Sequence, residues 1–154
     1  MSKMRMTLLL AGLTGLFLAI GAFLGGTIGM TMMLVLSLLM NFVSYWFSDR
    51  IILSMYGARE VTPQDAADLI RTVSGLVQKA KLPMPKVYVI DTDVPNAFAT
   101  GRNPSHAAIA VTTSLMSVLT YEELEGVIAH ELAHIKNHDT LMSTVVASVA
   151  GILT

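Results

Sequence analysis

The hydrophobic pattern divides the chain into three regimes. Residues 6–48 form a run of 43 positions without Asp, Glu, Lys, Arg or His. One membrane crossing takes about 20 apolar residues, so the run is long enough for two. Gly25, Gly26 and Gly29 lie near its middle and predict a turn between one helix over about Thr7–Leu24 and a second over about Ile28–Phe47. Tyr45, Trp46 and Phe47 close the second helix with rings suited to a bilayer interface. The alternative is a secretory signal peptide behind Lys3 and Arg5. It asks for a much shorter apolar core and a small-residue cleavage site before polar sequence, and neither fits.

The middle regime mixes two periods. Asp49 to Ala58 is a short exit segment whose Ile51, Ile52, Leu53, Met55 and Tyr56 are placed at the membrane surface. Thr62-Pro63-Gln64-Asp65 reads as a helix start, with Thr62 as N-cap and Pro63 at the first helical position. Ala66, Leu69, Ile70, Val73, Leu76 and Val77 then recur at three- and four-residue steps, which predicts an amphipathic helix to about Lys79, stopped by Leu82-Pro83-Met84-Pro85. Lys86–Ile90 alternates as a strand around Val87, Tyr88 and Val89. Two short extended pieces follow, about Ala97–Thr100 and Ala107–Val111, separated by Gly101-Arg102-Asn103-Pro104-Ser105. Together these predict a small antiparallel sheet. Thr113–Leu119 reads as a short helix. Thr120-Tyr121-Glu122-Glu123 is a capping box that opens a longer helix, through Leu124, Val127, Ile128 and Ala133 to about Asn137.

In the third regime, Thr140 to Thr154, every residue is again uncharged, and Leu141, Met142, Val145, Val146, Val149, Ile152 and Leu153 dominate. The stretch reads as the first part of a third membrane helix, too short to cross alone. The alternative is a buried amphipathic helix of the small domain.

Composition agrees with a membrane protein. Of 154 residues, 53% are hydrophobic, and the mean hydropathy of +0.62 is high for a soluble globule. The net charge is −1 and no basic stripe occurs, so nothing points to nucleic acid. The absence of cysteine excludes disulfides, thiolate metal ligands and cysteine nucleophiles. The eleven methionines lie in or near apolar stretches, where they serve as adaptable filler. Lys3 and Arg5 precede the first apolar helix, Arg50 and Arg59 follow the second, and the turn between them is uncharged; both ends should therefore face the cytoplasm.

The chemistry is concentrated in His130-Glu131-Leu132-Ala133-His134. On a helix, residues four apart are separated by about 400° of turn and about 6 Å of rise, so the two imidazoles can share one ion. Neutral imidazole suits zinc, and a catalytic zinc needs three protein ligands and an open position for water. Glu131, about 100° round from His130, is placed to take the proton of that water and deliver it to a leaving amine. His130 and His134 are thus the candidate metal ligands, Glu131 the candidate catalytic base, and one Zn2+ per chain the expected cofactor. His138 lies eight residues after His130, too far to join them unless the helix breaks after His134, and reads as a surface or membrane-interface residue; His106, in a loop beside Pro104, reads as solvated. Asp139 is a candidate to support a ligand from behind or to cap the helix end. The third ligand is expected beyond Thr154. The fold class that follows is an α+β membrane protein: a transmembrane hairpin over residues 1–48, a partial zincin-like helix and antiparallel-sheet domain over 49–139, and the start of a third membrane helix over 140–154.

Asn96-Ala97-Phe98-Ala99-Thr100-Gly101, followed by His130-Glu131-Leu132-Ala133-His134 and then Asn137 and Asp139, resembles the HtpX family of membrane-bound zinc metalloproteases. The resemblance covers nearly the whole chain. It implies an endopeptidase of the prokaryotic cytoplasmic membrane, multi-pass, that cleaves misfolded or damaged membrane proteins from the cytoplasmic side as part of quality control and stress response. His130 and His134 correspond to its zinc ligands and Glu131 to its base, while Asn96, Ala97, Phe98 and Ala99 look like the edge strand that binds substrate. The family's third zinc ligand is a glutamate on a later helix, so the chain looks like the N-terminal part of such a protease. The competing function is a catalytically silent membrane adaptor that binds protein segments at the sheet edge. The oligomeric state is left open.

Overall fold

The computed structural model describes residues 2–140, which fall into two compact units dividing between Phe47 and Ser48. The expected third apolar helix, Thr140 to Thr154, lies outside the described residues except for Thr140 itself.

The first unit is helix α1 (Ser2–Trp46), interrupted at Gly25 (φ −145°, ψ 16°) and Gly26 (φ 58°, ψ −138°). A side chain resists the positive φ at Gly26, so glycine permits the break there. The arms on either side of the break touch each other. Asn41 Nδ2 donates to Thr14 Oγ1 at 2.9 Å and more weakly to the Leu10 carbonyl at 3.5 Å. A Cβ on Gly21 would run into the carbonyl of Gly29, so only glycine allows this approach. The helix begins before Thr7, the expected start, because nothing in Ser2–Met6 breaks it and Lys and Arg are good helix formers. Phe23, Leu24, Ile28 and Met32 are exposed on its outer faces.

The second unit is a four-stranded sheet with helices on both faces. Its strands are β1 (Arg59–Glu60), β2 (Lys86–Ile90), β3 (Ala97–Gly101) and β4 (Ala107–Thr112), in the order β1-β2-β4-β3. The sheet is mixed, which corrects the antiparallel expectation: β2 pairs with β4 in parallel, while β1 with β2 and β3 with β4 are antiparallel. The reason lies in β4. All six of its residues are buried, as befits a strand covered on both faces and both edges, and inserting it between β2 and β3 provides that cover. β3 is left at the edge.

Side-chain alternation sorts the two faces. Val87 and Val89 of β2 and Ala107, Ile109 and Val111 of β4 pack against helices α3 (Ala67–Ala80) and α5 (Tyr121–Lys136) through Leu69, Val73, Val77, Ile128, Leu132 and Ile135. Ile90, Ala108 and Ala110 face the other way, onto Ile52 and Leu53 of α2 (Ser48–Met55). The exit segment is therefore a short helix that closes the second face of the sheet. Ile52 and Leu53, expected at a membrane surface, are core residues, while Met55 and Tyr56 are exposed. Helix α4 (Thr113–Val118) connects β4 to α5.

The start of α3 also differs from expectation. Thr62 does not cap the helix. Its N–H and hydroxyl both donate to Asp65 Oδ2, at 3.1 and 2.9 Å, closing a separate turn, and the helix begins at Ala67 with Ala66 as an N-cap that makes no side-chain bond. The two hydrogen bonds from Thr62 hold the Asp65 carboxyl below its usual pKa.

Candidate metal centre

Helix α5 carries the site, and its first turn is fixed by sequence. Thr120 Oγ1 accepts from the Glu123 N–H at 3.3 Å while Glu123 Oε2 accepts from the Thr120 N–H at 2.8 Å, the reciprocal pair expected of a capping box. Ile128, Leu132 and Ile135 then bury one stripe of the helix. Burying that stripe leaves His130 exposed and Glu131 and His134 half-buried.

The two imidazoles converge. His130 Nε2 and His134 Nε2 are 3.1 Å apart, with the ring planes at 89°. Two ligand nitrogens about 2.0–2.1 Å from one zinc ion in tetrahedral geometry stand about 3.3 Å apart, so this pair fits two adjacent positions of such a centre. Among the described residues, no group of three His, Cys, Asp or Glu side chains gathers at one point, so the donor set here consists of these two.

Glu131 is directed elsewhere, toward the sheet. Its Oε2 accepts from the backbone N–H of Ala99 at 3.1 Å. Strand alternation makes this possible. Thr112 N–H donates to the Asn96 carbonyl at 3.0 Å, so Asn96, Phe98 and Thr100 turn their backbone groups toward β4, while Ala97 and Ala99 turn theirs outward. Ala97 and Ala99 also face α5 with side chains small enough for the helix to come close. Phe98 points to the opposite face, its ring 5.3 Å from that of Tyr56. Asn96 binds Thr112 from both sides, accepting from Thr112 Oγ1 at 3.0 Å and donating its N–H to the same oxygen at 2.9 Å. Of the four residues picked out in this stretch, Ala97 and Ala99 thus border the candidate centre, and Asn96 and Phe98 anchor the strand.

The remaining histidines stand apart from the pair. His106 ends a 3-10 turn (Pro104–His106), with its ring on Asn103 Oδ1 at 2.9 Å. His138 lies past the end of α5 with φ +59°. Asp139 Oδ2 lies 3.7 Å from His134 Nδ1. What sequence reasoning missed was the Ala99 N–H, since a backbone donor leaves no mark in the sequence.

The sequence model of peptidase family M48 matches residues 63–154. Over nearly the whole chain the sequence is 53% identical to a protein named Protease HtpX homolog from Desulforapulum autotrophicum (97% of this chain, 48% of the relative). It is 54% identical to the homolog of the same name from Burkholderia ambifaria (96% and 52%) and 55% identical to that from Methylibium petroleiphilum (96% and 52%). The chain thus spans about half the length of the curated relatives it matches. In fold it resembles the crystal structure of S. mikatae Ste24p, with a TM-score of 0.55 at 19% identity, covering 98% of this chain and 36% of that one. Taken with the paired histidines on α5, these matches show that the chain belongs to peptidase family M48, among the HtpX homologues.

Proposed function

We propose that this chain carries the catalytic helix of a zinc-dependent membrane endopeptidase. The reading rests above all on the 3.1 Å convergence of His130 Nε2 and His134 Nε2, on the helix that also carries Glu131. His130 and His134 hold the zinc as two of its ligands, and the third comes from outside the described residues. Zinc bound there supplies Lewis-acid polarisation of water and of a peptide carbonyl. Glu131 takes a proton from the attacking water and returns it to the leaving amine. The Ala99 N–H fixes one carboxylate oxygen of Glu131 and leaves the other for this proton. A substrate in extended form adds to the outward edge of β3, at the backbone groups of Ala97 and the carbonyl of Ala99, held largely by backbone hydrogen bonds, which suits unfolded segments of varied sequence.

The two arms of α1 form a membrane hairpin. Residues 3–46 have a mean hydropathy of 2.2 in their most apolar window, and each arm has about the 20 residues that span a bilayer core. The flanking Lys3, Arg5, Arg50 and Arg59 put the sheet and α5 on the cytoplasmic side. Substrates of this class are misfolded or damaged proteins of that membrane.

The test is Glu131→Gln in the detergent-purified full-length protein, assayed for cleavage of a denatured reporter protein and for zinc content. Loss of cleavage by about 100-fold or more, with zinc retained, supports the proposal. Wild-type protein that binds the reporter without cleaving it would instead support the adaptor reading.

A further inference from the structure

Helix α5 ends in a turn with a definite direction. Asn137 is the C-cap and His138 takes φ +59°. The His138 N–H donates to the Ile135 carbonyl at 3.1 Å, and the Asp139 N–H to the His134 carbonyl at 3.0 Å. This pair of bonds is a Schellman motif, with its left-handed residue just past the cap. The reversal brings Asp139 back over the last helical turn, to 3.7 Å from His134 Nδ1. Thr140, buried, donates from Oγ1 to the Gly101 carbonyl at 3.3 Å and ties the turn to the end of β3.

The two nitrogens of His134 therefore have different surroundings. Nε2 faces the Nε2 of His130, and Nδ1 faces a carboxylate. An imidazole that ligates through one nitrogen carries its proton on the other. An oxygen acceptor at that proton fixes the tautomer and the ring plane and makes the ligating nitrogen more basic. The 3.7 Å separation exceeds a hydrogen bond by under about 1 Å, a gap that small rotations of two half-exposed side chains close.

We propose that Asp139 is a positioning residue for the metal centre: its carboxylate accepts the Nδ1–H of His134 and keeps the Nε2 lone pair of that ring aimed toward His130. In the metal-free chain, His134 Nε2 is then the acceptor of the 3.1 Å contact and His130 its donor. The inference rests on the zinc-centre reading of His130 and His134.

The experiment uses the full chain in detergent with 15N-labelled histidine. Long-range 1H–15N correlation spectra read the His134 tautomer without metal, and chelator competition reads zinc affinity. Asp139→Ala is expected to move His134 from the Nδ1–H toward the Nε2–H tautomer and to weaken zinc about 10- to 100-fold, with Asp139→Glu recovering most of both. Asp139→Asn keeps the shape of the turn, so a change of tautomer there, at unchanged backbone shifts in α5, separates positioning from folding. An unchanged His134 tautomer in both Asp139→Ala and Asp139→Asn overturns the proposal, whatever zinc does. Failure of the zinc reading looks different: wild-type chain takes up no zinc, or takes it up equally in His134→Ala, while the tautomer comparison still decides the role of Asp139.

Discussion

The backbone N–H of Ala99 donates to Oε2 of Glu131 at 3.1 Å, joining the edge strand of the sheet to the carboxylate beside the first histidine. It is a charge-assisted bond, of the kind whose loss costs about 1.5–3 kcal/mol. Proline at position 99 removes this donor and no bond of the β3–β4 ladder, because the N–H points outward from an edge strand. Ala99→Pro should lower the rate of reporter cleavage about tenfold or more and leave zinc affinity unchanged. Cleavage at the wild-type rate would mean that Glu131 needs no help from the strand.

His138 occupies the left-handed position of the Schellman turn, where glycine is the preferred residue. The conformation costs a side chain about 1–2 kcal/mol, and glycine's extra freedom when unfolded gives back part of that. His138→Gly should therefore stabilise the second unit by roughly 0.5–1 kcal/mol in urea unfolding. A loss of stability would show that the imidazole makes a contact outweighing the strain.

Gly21 and Gly29 let the arms of α1 meet at the backbone. Even a methyl group on Gly21 drives into the Gly29 carbonyl, an overpacking of about 1–3 kcal/mol. Gly21→Ala should lower the SDS concentration at which the detergent-solubilised chain loses the contact between its arms, read as energy transfer between labels near Thr14 and Asn41. Gly12→Ala is the control, since a Cβ there meets nothing within 4 Å.

Asp65 sits in the turn before α3 with its pKa lowered from 3.8 by the two hydrogen bonds from Thr62. Because the folded value is the lower one, the folded state is favoured by the ionised carboxylate. That contribution is complete above the unfolded pKa and disappears as pH falls through the folded one. Acid unfolding should therefore show a limb starting near pH 3.8 that Asp65→Asn flattens, measured as the unfolding midpoint against pH. The group is fully exposed, so the limb is shallow.

Much of the second unit could be read directly from residue spacing. The face of α3, the strand at Lys86–Ile90 and the reciprocal cap at Thr120 and Glu123 all depend on near neighbours, and each is found where its spacing places it. The convergence of His130 and His134 is local in the same sense, four residues on one helix. What escaped was set by tertiary partners. The parallel pairing of β2 with β4 depends on which strand is covered on all sides, and Arg59–Glu60 is a strand only because Tyr88 and Val89 lie beside it. Thr62 and Pro63 looked like a helix start, but Asp65 competes for the same Thr62 groups. Spacing alone makes His138 a surface or membrane-interface residue; its left-handed backbone leaves no mark in the sequence, because histidine is not glycine.

The capped helix and the brace on Glu131 differ in how far along the chain they reach. Both imidazoles, the reciprocal cap and the reversing turn lie between Thr120 and Thr140, whereas Ala99 and Glu131 are 32 residues apart. A chain emerging from the ribosome can assemble the former from α5 alone, but gains the latter only once the β3–β4 hairpin has docked against that helix. Alignment of the carboxylate thus reports completed folding, which the pairing of the two imidazoles on one helix does not.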